Sequence, residues 1–197
     1  MLKNNIQKYE DSINIIIIGD TNVGKTTLMK RYINDKFTEN IIPSLGIELY
    51  RKIKEINGKK YLIKIWDTCG QERFKALTQN YYRNADGVMI LFDSNNIKSF
   101  QNLNFWLNSL KEYSSKNYPL IIIGTKSDLP INVHDNDINL FCNQFNIKWF
   151  RTSAKTGENI SISFDFLTKE IINIKDNNGG KIKINKNINE NSCCCIF

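Results

Sequence analysis

Residues 19–26 read GDTNVGKT, and each residue type there has a use if phosphate groups are to be held. Gly19 and Gly24 let the backbone curl so that successive N–H groups, across Asp20, Thr21, Asn22, Val23 and Gly24, turn inward toward phosphate oxygens. Lys25 brings a positive charge to the β- and γ-phosphates, and the Thr26 hydroxyl can ligate Mg²⁺. The helix starting near Lys25, which takes in Thr27, adds its positive dipole end. An apolar run (Ile13, then Ile15 to Ile18) precedes the loop and a helical pattern follows it, which separates it from a glycine turn that matches by chance. The spacing implies a bound nucleoside triphosphate.

Three further segments carry complementary chemistry. In WDTCGQERF (66–74), Asp67 stands at a strand end as a partner for Mg²⁺. Gly70 offers a backbone N–H to a γ-phosphate oxygen, and Gln71 can orient an attacking water. In TKSD (125–128), the Asp128 carboxylate can accept from guanine N1–H and the exocyclic amine together, while the aliphatic stem of Lys126 packs on the base. Adenine lacks that donor pair and would leave a carboxylate unpaired, a loss of roughly 1–3 kcal/mol or more. In TSAK (152–155), the Ala154 N–H can reach guanine O6. Leu129, Thr125, Ser153 and Lys155 flank these contacts, and Phe37 is placed to lie across the base edge. Each segment alone is a loop with surface charges; their order at successive strand ends gives them meaning.

The elements that must position these loops follow from periodicity. Strand-length apolar runs at 13–18, 87–92, 119–124 and 147–151 alternate with helix-period segments at 25–36, 72–84, 98–116, 135–145 and 158–174. Segments 46–56 and 60–66 flank Asn57-Gly58, a strong hairpin signal, and are expected to pair antiparallel. The expectation is an α/β three-layer fold: a six-stranded, mostly parallel sheet with one antiparallel strand and helices on both faces. In such sheets ligands bind at the carboxyl ends of the strands, where every segment above falls.

The 197 residues suit one domain plus a tail, and 41% apolar residues suffice for a core. No run reaches the ~20 apolar residues that span a bilayer, and the polar start does not read as a signal peptide. The five cysteines form no C-x-x-C pair, so neither a disulfide framework nor a zinc site is indicated. A net charge of +7 admits nucleic acid as a partner, but the lysines are dispersed and no nucleic-acid-binding signature accompanies them. The lone His134 reads as a surface residue near a helix start.

With these residues in place, the chain resembles a small GTPase of the Ras superfamily, and within it a Rab, over about residues 11–174. LGIEL (45–49), LIKIW (62–66), RFKALT (73–78), YYRNA (81–85), LFDSN (91–95) and the cysteine-rich end carry the Rab character. The resemblance implies a first switch at 37–49 and a second at 67–85. It places Ser44 where the family usually has a threonine that ligates Mg²⁺ and senses the γ-phosphate; serine keeps the hydroxyl and loses the methyl that stiffens χ1. Thr125 replaces the usual Asn, as in many Rho proteins, and Cys69 replaces the usual Ala. The implied effector surface comprises Leu45, Gly46, Ile47, Leu49, Trp66 and Tyr81, with Leu49 where most Rabs carry Phe. Thr21 occupies the loop position nearest the γ-phosphate, where it either crowds the attacking water or simply faces solvent.

From about Lys175 the pattern stops, and 175–197 reads as a flexible tail behind the domain at 11–174, with 1–10 as an extension. Cys193-Cys194-Cys195-Ile196-Phe197 reads as a prenylation signal. A C-a-a-X reading lipidates Cys194; the Rab CCXX reading lipidates Cys194 and Cys195. One chain gives reversible membrane binding and two give stable anchoring. Lysines 175, 181, 183 and 186 against Asp176 and Glu190 leave two net positive charges, about 1 kcal/mol each at an anionic surface, which favours two lipids.

The family pattern implies a Mg²⁺-dependent GTP/GDP switch, monomeric, on the cytoplasmic face of intracellular membranes with a cytosolic pool. Its partners would be an exchange factor, a GTPase-activating protein, effectors and a prenyl-dependent escort. Two other classes stay open: a GTP-bound scaffold with negligible hydrolysis, or a Ras/Rho-like signalling GTPase. A P-loop kinase or ATPase is disfavoured by Asp128 and Ala154.

Overall fold

The central strands are nearly continuous isoleucine, valine and leucine, and this dictates a sheet covered on both faces. The structure, a computed structural model, describes residues 9–38, 46–68, 81–114, 116, 118–177 and 194–196, the last three as backbone only. The strands are β1 (Asp11–Gly19), β2 (Ile47–Ile56), β3 (Lys59–Asp67), β4 (Gly87–Asp93), β5 (Leu120–Thr125) and β6 (Lys148–Arg151). The helices are α1 (Lys25–Asn34), α2 (Ile97–Gln101), α3 (Leu103–Tyr113), α4 (Asp135–Phe145) and α5 (Ile160–Asn177), with a helical piece at 81–84. The strand order is β6-β5-β4-β1-β3-β2; all pairings among these six are parallel except β2 with β3. This is the P-loop NTPase arrangement expected from the sequence.

The period-2 alternation of a strand sorts its side chains between two cores. Ile13, Ile15 and Ile17 of β1 join Met89 and Leu91 of β4 in one, under Leu28, Met29 and Tyr32 of α1 and Phe164, Leu167 and Ile171 of α5. Ile16 and Ile18 join Val88, Ile90 and Phe92 in the other, under Leu103, Trp106, Leu107 and Leu110 of α3 and Ile138 and Cys142 of α4. Each fully buried branched residue contributes roughly 1.5–3 kcal/mol, so β1 and β4 anchor the domain. Burial pushes the Cys142 thiol up to about 12, which suits a packing residue.

The Asn57-Gly58 turn forms as expected. Both residues have positive φ (52° and 75°), as a two-residue hairpin turn that follows the strand twist requires, and Ile56 pairs with Lys59. His134 is exposed at the start of α4, also as expected.

Three features differ from the sequence reading. The helix expected over 98–116 is two pieces, because Asn102 breaks regular geometry (ψ −4°), and α3 stops at Tyr113. α5 runs on to Asn177 because Lys175 is held: its ammonium donates to Ser12 O (3.0 Å) and Asp11 Oδ2 (3.3 Å) and lies 3.3 Å from Asp86 Oδ2. A seventh, short strand (β7, Cys194–Ile196) adds antiparallel to the outer edge of β2, pairing Cys194 with Leu49 and Ile196 with Ile47. Of the second-switch helix expected over 72–84, only 81–84 lies within the described residues.

Candidate functional site

The parallel register brings the carboxyl ends of β1, β3, β4 and β5 to one edge: Ile17 pairs with Asp67, Gly19 with Leu91, and Asp93 with Thr125. The phosphate loop leaves β1 between its two neighbours, where successive connections depart to opposite sides. Gly19 has φ 142°, and a Cβ there would sit 2.3 Å from Leu91 O, so only glycine lets the chain leave the sheet at this point. Gly24 (φ 92°) begins α1 in a left-handed conformation. The Lys25 side chain is buried and folds back over the loop, its ammonium donating to Gly19 O (2.9 Å) and Asp20 O (2.7 Å).

Thr26, at the start of α1, meets Asp67, at the end of β3: the hydroxyl donates to Asp67 Oδ2 at 2.5 Å. Asp67 is fully buried. Desolvation pushes its carboxyl up to about 6, against the opposing pull of the Thr26 hydrogen bond and the Lys25 charge. Adjacent hydroxyl and carboxylate oxygens in a buried spot that disfavours bare negative charge suit a hard divalent cation, so the residues fit magnesium.

The predicted base-binding loops are joined to each other and to the phosphate loop. Ser153 is buried, and its hydroxyl donates to Asp128 Oδ1 at 2.5 Å, which sets the carboxylate's orientation. The Ser127 N–H donates to Thr152 O (3.1 Å) and its hydroxyl to Glu158 (2.8 Å). The Thr125 hydroxyl donates to Val23 O (2.6 Å), and the Lys126 ammonium donates to Asn22 O (2.9 Å) and Asp93 Oδ2 (2.6 Å). Threonine at 125 therefore does a structural job within the loop pair. Ala154 packs at the margin of the core, while Leu129 and Lys155 are exposed. Phe37 is half-buried beyond α1, Thr21 is exposed at the loop tip, and Thr27 lies in the first turn of α1.

The sequence reading gave no role to Asp93 or to Asn102 and Trp106, which hold the Asp20 carboxylate: Asn102 Nδ2 donates to Oδ2 (2.7 Å) and Trp106 Nε1 to Oδ1 (2.8 Å). Their four-residue spacing on one helical face was the available signal. Trp66 and Tyr81 are in tilted ring contact, with centroids 4.8 Å apart and planes 55° from parallel, whereas Ile47 and Leu49 are buried along the β2 stretch that pairs with β7. Ser44, Leu45, Gly70 and Gln71 lie outside the described residues, as do the side chains of Cys194 and Cys195.

A family model described as Ras family matches residues 14–173. The chain is 32% identical to Ras-related protein SEC4 of Saccharomyces cerevisiae over 96% of its length and 94% of the relative's. It belongs to the Rab family of small GTPases. Ras-related protein Rab-8B of Homo sapiens is 35% identical (91% of this chain, 92% of the relative), and Ras-related protein RABE1e of Arabidopsis thaliana is 32% identical (96% and 94%). This GTPase thus shares the family's guanine-nucleotide chemistry in general terms.

Proposed function

We propose that this GTPase is a lipid-anchored switch in vesicle traffic, with the G domain at 11–174, an extension at 1–10 and a tethering tail at 175–197. One observation supports the nucleotide reading most directly. Thr125 and Lys126 bolt the base-binding loop to the carbonyls of Asn22 and Val23, so base and phosphates would be gripped by one frame. Asp20 to Thr27, with Ser44 and Gly70, would hold the phosphates. Phe37, Thr125, Lys126, Asp128, Leu129, Ser153, Ala154 and Lys155 would surround guanine.

Thr26, Ser44 and Asp67 would hold Mg²⁺, which when bound would offset phosphate charge. Lys25 stabilises charge on the transferring group and Gln71 holds the attacking water. No insertion between α1 and the first switch is long enough to bring an arginine in cis. The unaided rate should therefore be slow, on the order of the ~10⁻⁴ s⁻¹ of Ras, with an activating protein supplying the arginine. Loss of the γ-phosphate releases Ser44 and Gly70 and lets both switches relax, which would end effector binding at Leu45, Gly46, Ile47, Leu49, Trp66 and Tyr81.

The test is displacement of a fluorescent GDP in the presence of magnesium. Excess GTP is expected to displace it and equal ATP to leave it bound; displacement by ATP would sink the guanine assignment. Asp67 must give up its proton to serve the cation, so magnesium-dependent retention is expected to weaken as pH falls below about 6. The cation-free chain shows the opposite sign. Its folded state keeps the Asp67 proton that the unfolded chain has already lost, so the contribution of Asp67 to stability is expected to decline as pH rises from 3.8 towards about 6. Magnesium-dependent retention that stayed flat across pH 6 would remove Asp67 from the site.

Among the described residues no helix is long and apolar enough to cross a membrane. Attachment is assigned instead to prenyl groups on Cys194 and Cys195, delivered by an escort and placing the switch on the cytoplasmic face of an intracellular membrane. The mass of the protein isolated from its own cell is expected to show two prenyl groups; one or none would refute double anchoring.

A further inference from the structure

Asp20 poses an electrostatic problem. It sits in the phosphate loop, where its negative charge would face like charge on a bound nucleotide. The structure turns that charge aside. Each carboxylate oxygen takes one N–H from the α2–α3 region: Oδ1 from the Trp106 indole at 2.8 Å, Oδ2 from the Asn102 amide at 2.7 Å. The indole is almost wholly buried (6% exposed) among Leu103, Leu107 and Leu110, so its N–H is aimed by packing and has little freedom to follow a moving loop. Hydrogen bonds to an ionised group are stronger than neutral ones.

The carbonyl of the same Asp20 accepts from Lys25, whose ammonium is directed at phosphate in the reading above. The loop tip, Thr21 and Asn22, is exposed, and Asn22 has a positive φ of 64°. One side of the loop is tied to the base-binding loop through Asn22 O and Val23 O; the other is tied to α3 and its start through Asp20.

We propose that Trp106 and Asn102 are positioning residues for the phosphate loop: by clamping the Asp20 carboxylate they hold the loop and Lys25 in the phosphate-receiving shape, and so set how slowly guanine nucleotide is released. A preformed loop has less ordering to lose on binding, which lengthens residence. The inference rests on the reading that GDP and GTP occupy this loop.

The experiment measures release of fluorescent GDP from the full chain in magnesium, alongside melting temperature. Trp106→Phe keeps an aromatic ring in the core and removes the N–H; Asp20→Ala removes the acceptor. Trp106→Phe is expected to speed release roughly tenfold, the worth of one hydrogen bond to a charged group, and Asp20→Ala, which removes both bonds, by at least as much. The double variant is expected to be no faster than Asp20→Ala alone, because Asp20→Ala already removes the contact that Trp106→Phe deletes. Asn102→Ala, at an exposed position, is expected to speed release severalfold and stands in if Trp106→Phe fails to fold. Trp149→Phe removes another hydrogen-bonded indole, one whose partner is Asn139, and is expected to release GDP at the wild-type rate. A purely structural role would lower the melting temperature while leaving release unchanged, and that result overturns the clamp. So would multiplying effects of Trp106→Phe and Asp20→Ala, or an equal effect of Trp149→Phe. A wild-type chain that retains no GDP would instead bring down the nucleotide reading itself, and the clamp with it.

Discussion

Replacing Asp128 with asparagine is expected to lower affinity for GDP and GTP by roughly a hundredfold or more, while the nucleotide-free protein melts at the wild-type temperature. Asp128 is exposed, and the contact it makes is with the Ser153 hydroxyl at 2.5 Å. An asparagine oxygen can accept that same bond, so folding loses little. The base loses much more. A carboxylate presents acceptors to both guanine N1–H and the exocyclic amine, and each such charge-assisted bond is worth roughly 1.5–3 kcal/mol. With Ser153 engaging the amide oxygen, the –NH₂ group points where guanine also donates, so donor meets donor. Two lost or inverted bonds make about 3 kcal/mol, or roughly a hundredfold, the lower bound. Titration calorimetry with GDP and melting of the nucleotide-free protein decide the matter. Unchanged GDP affinity would mean that guanine is recognised elsewhere.

The second large effect is catalytic. Gln71→Leu is expected to slow GTP hydrolysis roughly a hundredfold in the presence of an activating protein, with GTP affinity unchanged. Leucine fills a similar volume but offers the water neither a donor nor an acceptor. Binding survives because Gln71 is assigned to the water and not to the nucleotide. Single-turnover hydrolysis with and without the activating protein measures this. A Gln71→Leu chain that hydrolyses at the wild-type rate would refute the mechanism. A wild-type chain that never hydrolyses, even when assisted, would favour the scaffold reading, to which the exposed Thr21 and the serine at 44 lend support.

Much of the site was legible in the chain because its chemistry is local. Gly19 through Thr26 is one continuous segment, and a loop that binds through backbone N–H groups must be spelled by its neighbours in sequence. The hairpin at Asn57-Gly58 was legible for the same reason: two adjacent residues with positive φ set the turn and the register. The helix boundaries were less so. The break at Asn102 coincides with its side chain turning to Asp20, and the run of α5 past Lys175 goes with an ammonium set among Asp11, Ser12 and Asp86. Periodicity reports a helix's buried face, not a distant carboxylate.

By itself, then, the order of residues settled the α/β layering and the family and pointed to the loops proposed for guanine nucleotide, because strand alternation, turn geometry and phosphate binding depend on near neighbours. Tertiary structure decided what holds those loops still. Asp20 meets Asn102 and Trp106 across separations of 82 and 86 residues, and Thr125 meets Val23 across 102. Contacts of that kind exist only after α3 has packed on one face of the sheet and β5 has aligned beside β4, since side-chain reach is a few ångströms and the chain between carries no trace of where its ends will meet.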